Sequence, residues 1–212
     1  MEMNVVFLIL GWLLGLLSPL IVDRVRRRYQ INEVKQGIIT ELKELKFRLV
    51  AAAYLIAARL GNFDRNLLVW IVDTFQEYQG SEPKEETLKA VQNLLKLSDQ
   101  ELSALSNAVK FKPGGALSLK SQSLPYLDAN INLLSMYPVD FQRRILEIRT
   151  QIDLLNQEIE DCRFFYEKTF DSGLSKENYE VIVDNTRKKY QLIAGAARRI
   201  ADKVTNLVSN SK

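Results

Sequence analysis

Residues 3–22 carry no charged side chain, and Asp23-Arg24-Val25-Arg26-Arg27-Arg28 follows them at once. At a helical rise of about 1.5 Å per residue, twenty residues span roughly 30 Å, the thickness of the hydrocarbon layer of a bilayer. Four arginines stand on one side of the stretch and no Lys or Arg precedes it. The positive-inside rule then puts the N-terminus outside and the rest of the chain inside. A cleaved signal peptide would begin with basic residues and carry a shorter apolar run of about 7–15 residues. This segment lacks the basic start, is too long and ends in arginines. The expectation is an uncleaved signal anchor in the cell (inner or plasma) membrane, single-pass over residues 1–23, with a cytoplasmic body.

Inside the stretch, Gly11 and Gly15 form a GxxxG pair and Ser18 prolongs the small-residue face. Two such helices approach closely enough to gain dispersion contacts across their backbones, which marks a self-association face. Pro19 removes a backbone hydrogen bond and is expected to bend the helix near its cytoplasmic end. Arg24, Arg26, Arg27 and Arg28 are the stop-transfer cluster, placed to touch lipid headgroups.

The body reads as all-α. Gly and Pro are scarce, 9 and 5 residues, while helix formers are abundant. Histidine is absent, which removes Ser-His and Cys-His nucleophile pairs, histidine bases and every His-containing zinc site. The single Cys162 has no intrachain disulfide partner and reads as a small core residue. The net charge of +3 falls to −1 without the four stop-transfer arginines (25 Lys and Arg against 26 Asp and Glu), so a nucleic-acid partner is not expected.

From Arg24 the helix is expected to run on, with an apolar stripe at Ile31, Val34, Ile38, Leu42, Leu45, Leu49, Ala53, Ile56 and Leu60. Glu44 and Arg48 are spaced for an i,i+4 pair on its wet side. The ten apolar residues 49–58 are too few to span a membrane and read as buried. A second helix opens at Leu67 after the Gly61-Asn62 break, and a third after Ser81, with Glu82-Pro83 in its first turn. Ser98-x-x-Glu101 is a capping box for a fourth. Residues 112–123, rich in Ser and Gly, are expected to form a mobile loop, and a short helix over about 125–136 follows.

Beyond Pro138, the positions Phe141, Ile145, Ile148, Ile152, Leu155, Ile159, Cys162 and Tyr166 alternate four and three residues apart, the period of a coiled-coil seam. After Gly173 and the cap Ser175, a second stripe runs through Tyr179, Ile182, Thr186, Tyr190, Ile193, Ala197, Ile200, Val204 and Leu207. Only a tight turn fits between them, so the two fold back as an antiparallel hairpin. Arg187, Lys188 and Lys189 should then face Glu158, Glu160 and Asp161. At the open end, Arg143, Arg144 and Arg149 approach Arg198, Arg199 and Lys203, a patch suited to an anionic partner.

The fold class expected is therefore all-α: a transmembrane helix (1–23) continuing into a cytoplasmic helical bundle (24–137), then a long antiparallel coiled-coil-like hairpin (138–212). No residue set answers the requirements of catalysis, of a cofactor, of a metal or of a small-molecule substrate. The expected role is non-catalytic protein–protein interaction or homo-oligomerisation at the bilayer. The alternative is a membrane-active effector of the toxin or abortive-infection type, whose transmembrane helices associate and permeabilise the bilayer.

Overall fold

The computed structural model describes residues 2–109, 117–171 and 173–210, with side chains left out for 2–11, 13–14 and 16–20. Every regular element among them is helical. The order is α1 (Glu2–Leu60), α2 (Arg65–Glu77), α3 (Glu85–Leu95), α4 (Asp99–Ala108), α5 (Pro125–Ala129), a 3-10 helix (Ile131–Met136), α6 (Val139–Lys168) and α7 (Lys176–Ser209).

α1 is one continuous helix of 59 residues, about 88 Å long. Its stripe at Val34, Ile38, Leu42, Leu45, Leu49, Ile56 and Leu60 is buried in the main core with the seam of α6 and that of α7. A second face, Phe47 and Val50, enters a side core with α2, α3 and α4 through Leu68, Ile71, Phe75, Val91 and Leu102. Burial on two faces explains why residues 49–58 are apolar almost all round. Leu55, which faces neither core, is exposed.

α6 runs parallel to α1: the Tyr137 hydroxyl at its start donates to the Ile31 carbonyl at 2.8 Å, and Lys35 lies 5.8 Å from the Phe141 ring centre. α7 returns antiparallel, tied to α6 by Lys203 to Glu147 at one end and Lys189 to Glu158 and Asp161 at the other. The main core thus reaches from Val34 to Leu207 without a break at residue 137.

Several expectations need correction. α3 starts at Glu85 rather than in the turn after Ser81, because Pro83 biases the residue before it toward extended backbone and Lys84 is drawn to the Tyr78 carbonyl. Glu44 and Arg48 do not pair: Glu44 accepts the Tyr78 hydroxyl, and Arg48 reaches the Ser123 carbonyl at 3.4 Å. The region 125–136 is split, Asn130 ending α5 before the 3-10 turn.

The loop beyond residue 112 is the largest departure. Residues 112–116 lie outside the described ones, but 117–124 form a strap across the hairpin. The Leu117 amide donates to the Tyr190 hydroxyl at 2.8 Å, Arg163 donates to the Leu119 carbonyl at 2.6 Å, and Gln122 exchanges two backbone bonds with the Asn156 amide, each 2.8 Å. Leu119 and Leu124 are buried in the main core. The Ser-rich composition hid two apolar anchors.

Candidate functional site

The capping box at Ser98 is formed in full, Glu101 bonding back to the Ser98 amide at 2.8 Å, and this holds the Glu101 carboxyl below its ordinary range. Two tertiary caps had no sequence signal. Glu41 of α1 accepts the Tyr126 and Leu127 amides at 2.7 and 2.8 Å, serving as the N-terminal cap that α5 lacks. Gly37 makes room for the Tyr126 ring one turn before it. Arg65 closes the end of α3 through the Leu95 and Leu97 carbonyls while its Nε bonds Asp99 at 2.8 Å.

The basic patch is less concentrated than its sequence suggests. Arg143 and Arg144 both bond Asp140, Arg149 pairs with Asp128 at 3.0 Å, and Lys203 pairs with Glu147 at 2.6 Å. Bonds to Arg143 and Lys203 respectively hold the carboxyls of Asp140 and Glu147 below their usual range. Arg198 turns to the other side of α7 and stacks over Trp70 at 5.4 Å. Arg199 is exposed beside Gly195. Farther along, Lys189 bridges the hairpin to Glu158 and Asp161, and Lys188 bonds Asp184 of its own helix. The small-residue run near residue 195 is covered in part by α1, Ala197 joining the main core and Ala201 the side core.

Of the expected self-association face, Gly15 has nothing within 4 Å of where a side chain would start. Gly11 and Ser18 lie outside the residues with described side chains. Among the described residues no helix is long and apolar enough to cross a membrane; most side chains of 3–22 are outside that set. Those described there, Trp12, Ile21 and Val22, are exposed, as is every residue from 21 to 30, Arg24, Arg26, Arg27 and Arg28 included. The described side chains of α1 before Ile31 thus enter neither core.

The far end of the hairpin has the opposite composition and the same lack of cover. Between Cys162 and Thr186 no described residue is buried. Yet this tip holds Phe164 and Phe165 in edge contact at 5.9 Å, Tyr166 and Phe170 at 5.1 Å, and Lys168 over Phe164 at 5.6 Å. Phe170 is 70% and Phe164 55% exposed. No group of three or more Cys, Asp or Glu suited to a metal occurs among the described residues.

Three groups of the interior are shifted upward. Burial pushes Cys162 up to about 11 and Tyr190 up to about 12, and burial with the Glu44 carboxylate pushes Tyr78 up to about 12. In the folded chain these groups keep protons that an unfolded chain loses near pH 9 for the thiol and pH 10 for the phenols. The folded state therefore binds more protons above pH 9, and the contribution of these three groups, level below that point, declines as pH rises through 12. Urea midpoints read at pH 8, 10 and 11.5 should fall in that order, and Tyr190→Phe should flatten the fall.

No protein-family model, curated protein or solved structure matches this chain.

Proposed function

We propose that this chain is a single-pass, membrane-anchored cytoplasmic helical protein that works without catalysis, by engaging a protein partner or a second copy of itself through the tip of its hairpin. The observation that carries this reading is the pairing of two uncovered ends. At one end, α1 leaves the body as an arm whose sequence is twenty uncharged residues followed by four arginines. At the other, residues 163–185 display aromatic rings, and none of the described residues there is buried. Apolar rings held in water at the end of a rigid stalk gain free energy when a partner covers them. The stalk is rigid because both of its helices enter the main core. Gly11, Gly15 and Ser18 supply a second contact between copies within the bilayer.

The test is light scattering on the detergent-solubilised full chain, with chemical cross-linking in membranes. Phe164→Ser with Phe170→Ser should change stability by no more than about 0.5 kcal/mol, as for exposed sites, yet dissolve the assembly. Phe170→Cys in a Cys162→Ser background should cross-link if two tips meet. A chain that is monomeric at every concentration, and that retains no cross-linked protein sensitive to the two serine substitutions, would overturn the reading.

A further inference from the structure

Where α1 leaves the bundle, a cavity of about 300 Å³ opens between it and the 3-10 helix. Its polar wall is Asp23, Arg26, Arg27 and Gln30, and its apolar wall is Leu133 and Met136. At about 100° per residue, the four polar residues share one face of α1, and Ile31 and Val34 prolong that face downward into the core. The core-facing stripe thus turns basic as the core ends. Arg24 and Arg28 point roughly a quarter to a third of a turn away and do not line the cavity.

Two observations say that this corner is built. The Tyr137 hydroxyl bond to the Ile31 carbonyl pins the end of the 3-10 helix against α1. Leu133 packs on the main core, while Met136 stays 37% exposed at the rim. Neither Arg26 nor Arg27 has an ion pair among the described residues, although Asp23 stands within one turn of both.

We infer that this cavity binds the phosphate of an anionic phospholipid, with Arg26 and Arg27 on the phosphate and Leu133 and Met136 against the glycerol and first acyl carbons. The inference rests on the proposed anchor. Arg26 and Arg27 lie about 6–7.5 Å along the helix from Val22, within a headgroup layer about 5–8 Å deep on each side of the hydrocarbon. A free phosphate would use the guanidinium groups equally well but gain nothing from the apolar wall. A diester carrying acyl chains uses both.

The full chain, reconstituted in vesicles of phosphatidylglycerol and phosphatidylcholine in equal parts and released gently, is assayed by native mass spectrometry for retained lipid. Retention should favour phosphatidylglycerol by about thirtyfold, as expected for two cations at the surface of an anionic leaflet. Arg26→Gln with Arg27→Gln should abolish the preference. Arg24→Gln with Arg28→Gln, at nearly the same mean depth and with the same loss of charge, should keep most of it. Equal losses in the two double variants, or no preference in the parent chain, overturn the inference. If inorganic phosphate at millimolar concentration displaces the lipid as readily from the parent chain, the ligand is free phosphate and the lipid assignment fails. Extraction with alkaline carbonate separates this from the anchor: a chain that resists extraction yet shows no preference refutes the cavity alone, and a chain that washes off refutes the anchor and with it the lipid.

Discussion

Tyr190→Ala is expected to lower the unfolding free energy by about 3–5 kcal/mol, the range for deleting a large ring from a packed core. Tyr190 is fully buried in the middle of α7, inside the main core shared with α1 and α6. Its hydroxyl accepts the Leu117 amide at 2.8 Å, so the ring is also the post to which the 117–124 strap is tied. Two losses are therefore combined: a cavity between three helices and a released strap. Tyr190→Phe separates them, since it keeps the ring and removes only the hydroxyl, which also bonds the Cys162 thiol. Its cost should be about 1 kcal/mol, because Leu117 is only half-buried and water can replace the bond in part. Urea unfolding followed by circular dichroism measures both losses. Hydrogen exchange at residues 117–124 should rise in both variants, whereas exchange in the seam of α6 should rise only with alanine. Equal costs for alanine and phenylalanine would show that the strap, not the ring, dominates.

How much of this was legible beforehand depended on whether a feature is periodic. The stripe from Val34 to Leu60 and the seams of α6 and α7 announce themselves because each buries one face, and burial repeats with the helix. The caps at Ser98 and Ser175 are equally visible, for they act within one turn of their own helix. What stayed hidden acts across long separations with no repeat. Glu41 caps a helix that begins 84 residues later, and nothing around Glu41 announces it. The strap shows the same failure from the other side: the Asn156 side-chain amide satisfies both backbone groups of Gln122, so a loop that looks mobile by composition is tied by four bonds. Asp128, which pairs with Arg149 of the basic patch, stands apart from it in sequence, so residue spacing alone does not show this pair. The cavity at Arg26 and Arg27 required the 3-10 helix, whose place beside α1 depends on the single Tyr137 bond to Ile31 and on local packing.

The two ends of the molecule make different demands on stability, and this gives the second large prediction its form. Leu10→Arg together with Leu14→Arg should expel the N-terminal arm from the bilayer. An arginine near the centre of a spanning helix costs about 2.5–3.5 kcal/mol, and each lost leucine forfeits a few tenths more, so the pair shifts insertion by about 6 kcal/mol, roughly four powers of ten. The parent chain should resist alkaline carbonate, and the double variant should be extracted or degraded. Val25→Arg, which adds a cation to the existing cluster just outside the apolar run, should leave insertion unchanged. The body supplies the control for folding. Described side chains before Ile31 are all exposed and both cores begin farther along, so the urea midpoint of the helical signal should not move in any of the three variants. A double variant that remains carbonate-resistant with its midpoint intact would mean that something other than residues 3–22 holds the chain to the membrane. A parent chain that is extracted would remove the anchor, and the headgroup cavity would have no bilayer to meet.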